Sequence, residues 1–451
     1  MKKIMISLAA AALACAAFTG CQKKGAGEGD AARSAGGKIE LEMYYYKQEN
    51  QEGLMRIVKA FQKENPDISI KMLIIPNDAD ASMSARAAQN DLPDILQMQS
   101  YARVEEYASK GYLVDLSKEP ALQAALPSSL PSVTWEGRQY AVPMDYAGIG
   151  IIYNKDIFQK LGLEAPATYR DLEKVCRVLK ENGVVPFAAL LKENWSVGHF
   201  ITMIHTALLA EKNIAPADFI ASMNAGKSSY GAVDTAKLFS ILDFYRANMN
   251  SNAGEMGGGE QQQSFAKGES AMMVQGLWAY VDALKLNPNL NAGFIPFPVY
   301  NDAKMNKLYA DVDSTFGVSS QSSKEKQDAA IKFLNWLSSD EGKALWVSEY
   351  KLTHSFQGGD FASLGAPYAD LMNSVAEKGA YPWAFSQYPT KVFEDACKNG
   401  AQQYMMQVKS ADDVIKAIDE QWAASAVSAN SNYNLIEGAV RLFCCPLFFA
   451  C

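Results

Sequence analysis

The sequence predicts an α/β fold divided between two domains, and three observations carry that expectation. Apolar positions alternate at a period of two, then recur at helical spacing, and the two patterns take turns along the chain. About 390 residues, 38–425, lie between an opening rich in Gly and Ala and an atypical tail, more than one compact core normally holds. Near residue 137 a tight-turn sequence brings an antiparallel element into a pattern that is otherwise parallel.

The elements follow in order. Ile39, Leu41 and Met43 alternate with polar residues as a half-buried strand does, and Leu54, Ile57, Val58 and Phe61 then share one helical face. Asn65-Pro66-Asp67 stops that helix, and Ile68, Ile70, Met72 and Ile74 alternate again, which makes a strand-helix-strand unit with parallel strands. Pro93-Asp94-Ile95-Leu96 is a further short strand, and residues 104–110 form a helix ended by Gly111. Trp135-Glu136-Gly137-Arg138 is the tight turn, lying between the segment around Val133 and Tyr140-Ala141-Val142-Pro143. Residues 148–154 are apolar and β-branched, suited to a buried strand, and Met144-Asp145-Tyr146-Ala147 before them is placed at a crossing between lobes. Residues 291–300 (NAGFIPFPVY), broken by Pro296 and Pro298, are expected to cross back. Residues 324–337 form a helix with Ala330, Phe333, Leu334 and Leu337 on one face, and Ser338 with Glu341 reads as a capping box for the next.

The chain opens with Lys2 and Lys3, an apolar run over residues 4–17 too short to span a bilayer, and Phe18-Thr19-Gly20-Cys21. This resembles the bacterial lipobox, so residues 1–20 are expected to be an export signal and Cys21 the acylated first residue of a membrane-tethered, extracytoplasmic protein. The competing reading is a cleaved secretory peptide with an incidental cysteine. Cleavage at Cys15 would cut the apolar run in half. Residues 21–37 suit a flexible tether. Seven cysteines are present, but only Cys176 and Cys397 lie in the body of the fold, as two buried thiols or one bridge. A last helix is expected to end near Trp422, and residues 426–451 are an atypical tail whose apolar end, LFCCPLFFAC, is too short for a membrane span. The formal charge is −8 and the 42 basic residues are scattered, which argues against a nucleic-acid partner.

Several segments, in order, carry a family resemblance: LEMYYYKQENQEGLMRIVKAFQKENPDISIKM, LPDILQM, GRQYAVPMDYAGIGIIYNKDIFQKLGLEAPATYRDLEK, FAKGESAMMVQGLW and FGVSSQSSKEKQDAAIKFLNWLSSDEGKALW. With the lipobox, the chain resembles the extracellular solute-binding proteins of bacterial ABC importers, in the group of maltose-binding protein and its sugar-binding relatives. The resemblance implies a periplasmic-binding-protein-like fold: two α/β lobes, a hinge of two or three crossing segments, and a ligand cleft between the lobes. Residues 38–146 and 297–324 are assigned to one lobe, and 147–296 and 325–425 to the other. A monomer is expected to close around a small solute, a sugar in the first place, and to dock on ABC permease subunits.

A sugar offers a ring of hydroxyls and an apolar C–H face, so its site needs carboxylates or amides and flat aromatic surfaces. Trp278, at a strand end entering a helix, and Trp195, before an apolar helix, are the aromatic candidates, each with core packing as the alternative. Asp145, with Tyr146 beside it at the first crossing, offers a carboxylate to sugar hydroxyls or a hinge hydrogen bond. Asp311 and Asp313 precede Ser314-Thr315-Phe316-Gly317, which resembles the family's return strand. Gln99 and Ser100 follow one strand, and Tyr45, Tyr46 and Gln48 another, at the carboxyl ends where open α/β sheets hold ligands. Trp336, Trp346 and Trp422 are assigned to the core.

No cofactor or metal is expected, and no enzyme. His199, His205 and His354 fall in no metal-binding spacing and are assigned structural roles; a Gly-x-Ser-x-Gly elbow and a phosphate-binding loop are both missing from the sequence. A tyrosine pair can ligate ferric iron, but no carboxylate and histidine set accompanies this one. Two alternatives stand: a surface lipoprotein that binds glycans or peptides without a permease, and a glycoside-active enzyme using Asp311 with Asp313.

Overall fold

The computed structural model describes residues 37–47, 50–75 and 79–426. The export segment, Cys21, Gln48 and the tail beyond residue 426 lie outside them. Strand β1 (Ile39–Tyr45) and strand β2 (Ile68–Ile74) run parallel, joined by the Gln51–Glu64 helix. That helix buries Leu54, Ile57, Val58 and Phe61, the face the sequence spacing predicts. Asn65 ends it, its side-chain amide donating to the Phe61 carbonyl at 2.9 Å. Strand β3 (Ile95–Gln99) adds parallel to the other side of β1. The expected tight turn is present between Thr134–Trp135 and Arg138–Gln139, with positive φ at both Glu136 (47°) and Gly137 (77°), as a hairpin turn matched to strand twist requires.

The long strand β4 (Val142–Asn154) follows, then β5 (Val185–Phe187), β6 (Ser270–Gly276), β7 (Ala292–Ile295), β8 (Leu308–Val318) and β9 (Ala380–Tyr381). The described strands of the main sheet take the order β2-β1-β3-β8-β4-β6-β5, with β7 beside β4 and β9 beside β8. The two longest, β4 and β8, lie at its centre. Near Val142 and Phe316 they pair with each other while β8 also pairs with β3; beyond Ile149, β4 pairs with β6 and β7. Each therefore passes from one half of the molecule to the other.

Residues 291–300 do not make the return crossing. Ala292–Ile295 is β7, an antiparallel neighbour of β4 inside the second half, and the chain returns in β8. A third segment also crosses: the Ser355 N–H donates to Met144 O at 2.6 Å, the Thr353 hydroxyl to Tyr146 O, and the Leu126 N–H to Ser355 O at 2.8 Å. The hinge thus has three strands of backbone. Residues 325–425 do not all belong with the second lobe. The Lys324–Leu337 helix packs on β1 in the first half, where Phe333 meets Phe61 edge-on at 5.0 Å, and Trp346–Tyr350 packs on the Gln51–Glu64 helix.

Smaller expectations also resolve. The helix after Leu337 starts one residue later than the capping-box reading, with Ser339 accepting from the Gly342 N–H at 3.1 Å. Cys176 and Cys397 are separate buried thiols. The last helix continues to residue 426, past Trp422, which is buried against Phe219 and Tyr388. Trp346 is buried, and Trp336 half-buried against Phe61.

Candidate ligand-binding cleft

A cleft of about 1550 Å³ lies between the two halves. One wall is built from the carboxyl ends of β1 and β3, bringing Tyr44, Tyr46, Gln97 and Gln99 to its surface, with Lys47 and Asp313 at the floor. The other comes from the second half, where Trp195, His199, Gln275, Trp278 and Trp383 face in. Strand carboxyl ends collect ligand-facing side chains because the loops leaving them carry no sheet hydrogen bonds and are free to turn inward.

The second-half wall is aromatic. Trp278 opens the Leu277–Leu286 helix, and its ring folds back over Gly276, where a Cβ would lie 2.1 Å from the indole. Only a glycine at the end of β6 leaves room for this rotamer. The ring is 9% exposed, edge-on to Trp383 at 6.2 Å and to His199 at 6.5 Å. Trp195, half-buried, meets His199 edge-on at 5.6 Å. His199 stacks on Phe385 at 4.4 Å, and burial, with a smaller push from Lys398, lowers its pKa to about 3, so the imidazole is neutral. Its assignment to a purely structural role is too narrow, because it is both the hub of this cluster and part of the cleft wall. Its position four residues after Trp195 on one helix is the signal that reveals this.

The floor is polar and ionic. Lys47 Nζ lies 2.5 Å from Asp145 Oδ2 and 2.6 Å from Asp313 Oδ2. Asp145 is wholly buried and also accepts from the Ser314 N–H at 3.1 Å and the Ser314 hydroxyl, so it serves the hinge rather than the cleft surface. Gln97 accepts from the Tyr46 N–H at 3.1 Å, and Gln275 donates to Gln261 at 3.1 Å.

Five sequence candidates therefore line the cleft: Trp195, Trp278, Asp313, Tyr46 and Gln99. Five stand away from its surface, for identifiable reasons. Asp145 is held by Lys47. Asp311 is buried against the Tyr101 hydroxyl (3.1 Å) and the Trp383 N–H (3.2 Å), and burial raises its pKa. Tyr146 turns its hydroxyl to Ala310 O at 3.5 Å. Ser100 is buried, donating to Val312 O at 2.8 Å. Tyr45 is also buried, its hydroxyl 3.0 Å from that of Tyr350. No group of three or more potential metal-ligating side chains occurs among the described residues.

Charge is balanced across this surface: seven Lys or Arg and seven Asp or Glu side chains line the cleft. Most of those cations have a local acid. Arg56 reaches Glu349 at 2.5 Å, Lys285 Asp282 at 2.7 Å and Lys398 Glu394 at 2.6 Å.

A family model for bacterial extracellular solute-binding proteins matches residues 47–344. The chain belongs to that family. Among similar proteins, a multiple sugar-binding protein of Streptococcus mutans is 25% identical over 59% of this chain and 64% of its own length. The melibiose/raffinose/stachyose-binding protein MelE of Bacillus subtilis is 27% identical over 54% and 57% respectively, so both matches span less than two thirds of those relatives. A putative ABC transporter periplasmic-binding protein of Escherichia coli, YcjN, is 23% identical over 77% of each chain. Among solved structures, the solute-binding protein RafE in complex with raffinose superposes with a TM-score of 0.76 at 20% identity, over 86% of this chain and 100% of that one. A chitin oligosaccharide binding protein gives 0.75 at 20% identity over the same shares. The fold is thus the two-lobed one of solute-binding proteins, and the cleft of this member lies where the three crossing segments join its lobes.

Proposed function

We propose that this solute-binding protein captures a neutral oligosaccharide between its lobes and delivers it to an ABC permease, held at the membrane by an acyl chain on Cys21. The observation that carries the reading is the lining of the cleft: an aromatic wall at Trp195 and Trp278 facing amides and a carboxylate at Gln97, Gln99 and Asp313. Flat rings match the C–H faces of pyranoses, while amides and carboxylates match their hydroxyls. The balanced charge favours a solute without net charge, since a charged one would meet no excess of the opposite sign. The volume of about 1550 Å³ exceeds the ~300–1,000 Å³ usual for drug-sized ligands and suits several sugar rings. The names of the relatives, which speak of multiple sugars, melibiose, raffinose and stachyose, point the same way.

Calorimetric titration with raffinose, stachyose, chito- and xylo-oligosaccharides, their uronic-acid counterparts and short peptides tests this. Binding by one neutral series is expected. Binding by peptides or acidic sugars alone would replace the proposed solute class. Metabolic labelling with a fatty acid, compared between the native chain and Cys21→Ser, tests the anchor, and loss of uptake of the bound sugar on deletion tests the permease link.

A further inference from the structure

We infer that Glu193 is a positioning residue of the sugar site, fixing the Trp195 indole so that it presents a ring face rather than an N–H to the ligand. The inference rests on the reading of the cleft as a carbohydrate site.

Three observations meet at this carboxylate. Its Oε2 accepts the Trp195 indole N–H at 2.6 Å, a short charge-assisted bond. Its Oε1 accepts the Gly258 N–H at 3.0 Å, at the start of the Gly258–Ala266 helix. A Cβ added at Gly257 would lie 2.9 Å from that same Oε1, so a glycine there leaves the carboxylate its place. Glu193 is thus anchored on a second element, and its free oxygen holds the indole. His199 also meets the ring edge-on at 5.6 Å.

The consequence is chemical. An indole whose N–H is already bonded has no donor left for a hydroxyl, and only its face remains to meet the C–H face of a sugar ring. Holding it before the ligand arrives removes the cost of ordering it on binding. Gly257 and Gly258 thus serve as the anchor of this arm.

A double-mutant cycle reads the relationship directly. Affinities for raffinose, stachyose, chitotriose and xylotriose are measured by calorimetry on the native chain, Trp195→Ala, Glu193→Ala and the double variant. For whichever sugar binds tightest, Trp195→Ala should weaken binding tenfold or more and Glu193→Ala by about three- to tenfold. The double variant should bind no worse than Trp195→Ala alone, because Glu193 acts through the ring. Glu193→Gln, which keeps an acceptor, should recover part of the loss and guards against a misfolded alanine variant. Additive losses, or a Glu193→Ala variant with native affinity beside a weakened Trp195→Ala, would overturn the inference while sparing the sugar site. Native affinity in Trp195→Ala would overturn the inference in the same way, whereas no binding by any of the four sugars would remove the sugar site and the inference with it.

Discussion

Lys47 and Asp145, 98 residues apart, form a buried ion pair with Nζ 2.5 Å from Oδ2, at the point where the end of β1 meets the crossing strand β4. Asp313 of the other crossing strand, β8, shares the same ammonium at 2.6 Å. One lysine therefore ties the first lobe to two of the three crossing segments. Removing the cation leaves a carboxylate buried away from water, which costs far more than the pair itself contributes.

Lys47→Met is accordingly expected to destabilise the fold by about 3–5 kcal/mol, read as a shift in the urea midpoint at unchanged slope. Asp145→Asn should cost less, since the amide oxygen still accepts from Ser314. A Lys47→Met midpoint equal to that of the native chain would show that the pair adds nothing to the hinge.

Histidine burial sets a pH dependence. His205 is fully buried, stacked on Tyr230 at 3.9 Å with Nε2 3.0 Å from Tyr230 O, and burial lowers its pKa to about 3; burial likewise takes His354 to about 4. Both values lie below the ~6.5 of the unfolded chain, so the unfolded state binds more protons once the pH falls under that value. Stability is complete above about pH 6.5 and falls by about 1.4 kcal/mol per pH unit for each such histidine down to its folded pKa. Urea midpoints measured between pH 6.5 and 5 should decline, and His205→Phe should show a shallower decline than the native chain. Equal slopes would contradict the burial of a neutral ring.

Trp278 and Trp195 separate binding from stability. Both face the cleft, but Trp278 is 9% exposed and sits within the core, whereas Trp195 is half-buried. Trp278→Ala should weaken sugar binding by about 1–3 kcal/mol and also destabilise the fold by about 3–5 kcal/mol. For Trp195→Ala the affinity loss should come with little change in melting temperature. The same melting loss in both variants would mean that Trp195, too, is a core residue.

Local periodicity made much of this fold legible. The unit from Ile39 to Ile74 follows from alternating and helical apolar spacing, and the Glu136-Gly137 turn from its own chemistry. Long-range pairing was not legible. Asp145 has the sequence context of a free acid at a crossing, and only the fold brings Lys47 to it. Gln99, the last residue of β3, reaches the cleft, while Ser100 just past the strand end turns into the protein to bond Val312 O, a partner 212 residues away. Asp311 and Asp313, two apart, should share a face, yet the ladder between β4 and β8 shifts register between Val312 and Ser314, directing Asp313 to the cleft floor and Asp311 to Tyr101. Such a bulge leaves no mark in the composition of the strand.

The central claim is capture between two lobes, and small-angle scattering with and without a saturating sugar tests it most directly. A neutral oligosaccharide that contacts both the Gln97–Gln99 wall and the Trp195–Trp278 wall stabilises the closed arrangement, so the radius of gyration should fall on binding. Tight binding with an unchanged radius would contradict capture by closure and place the ligand on one lobe alone.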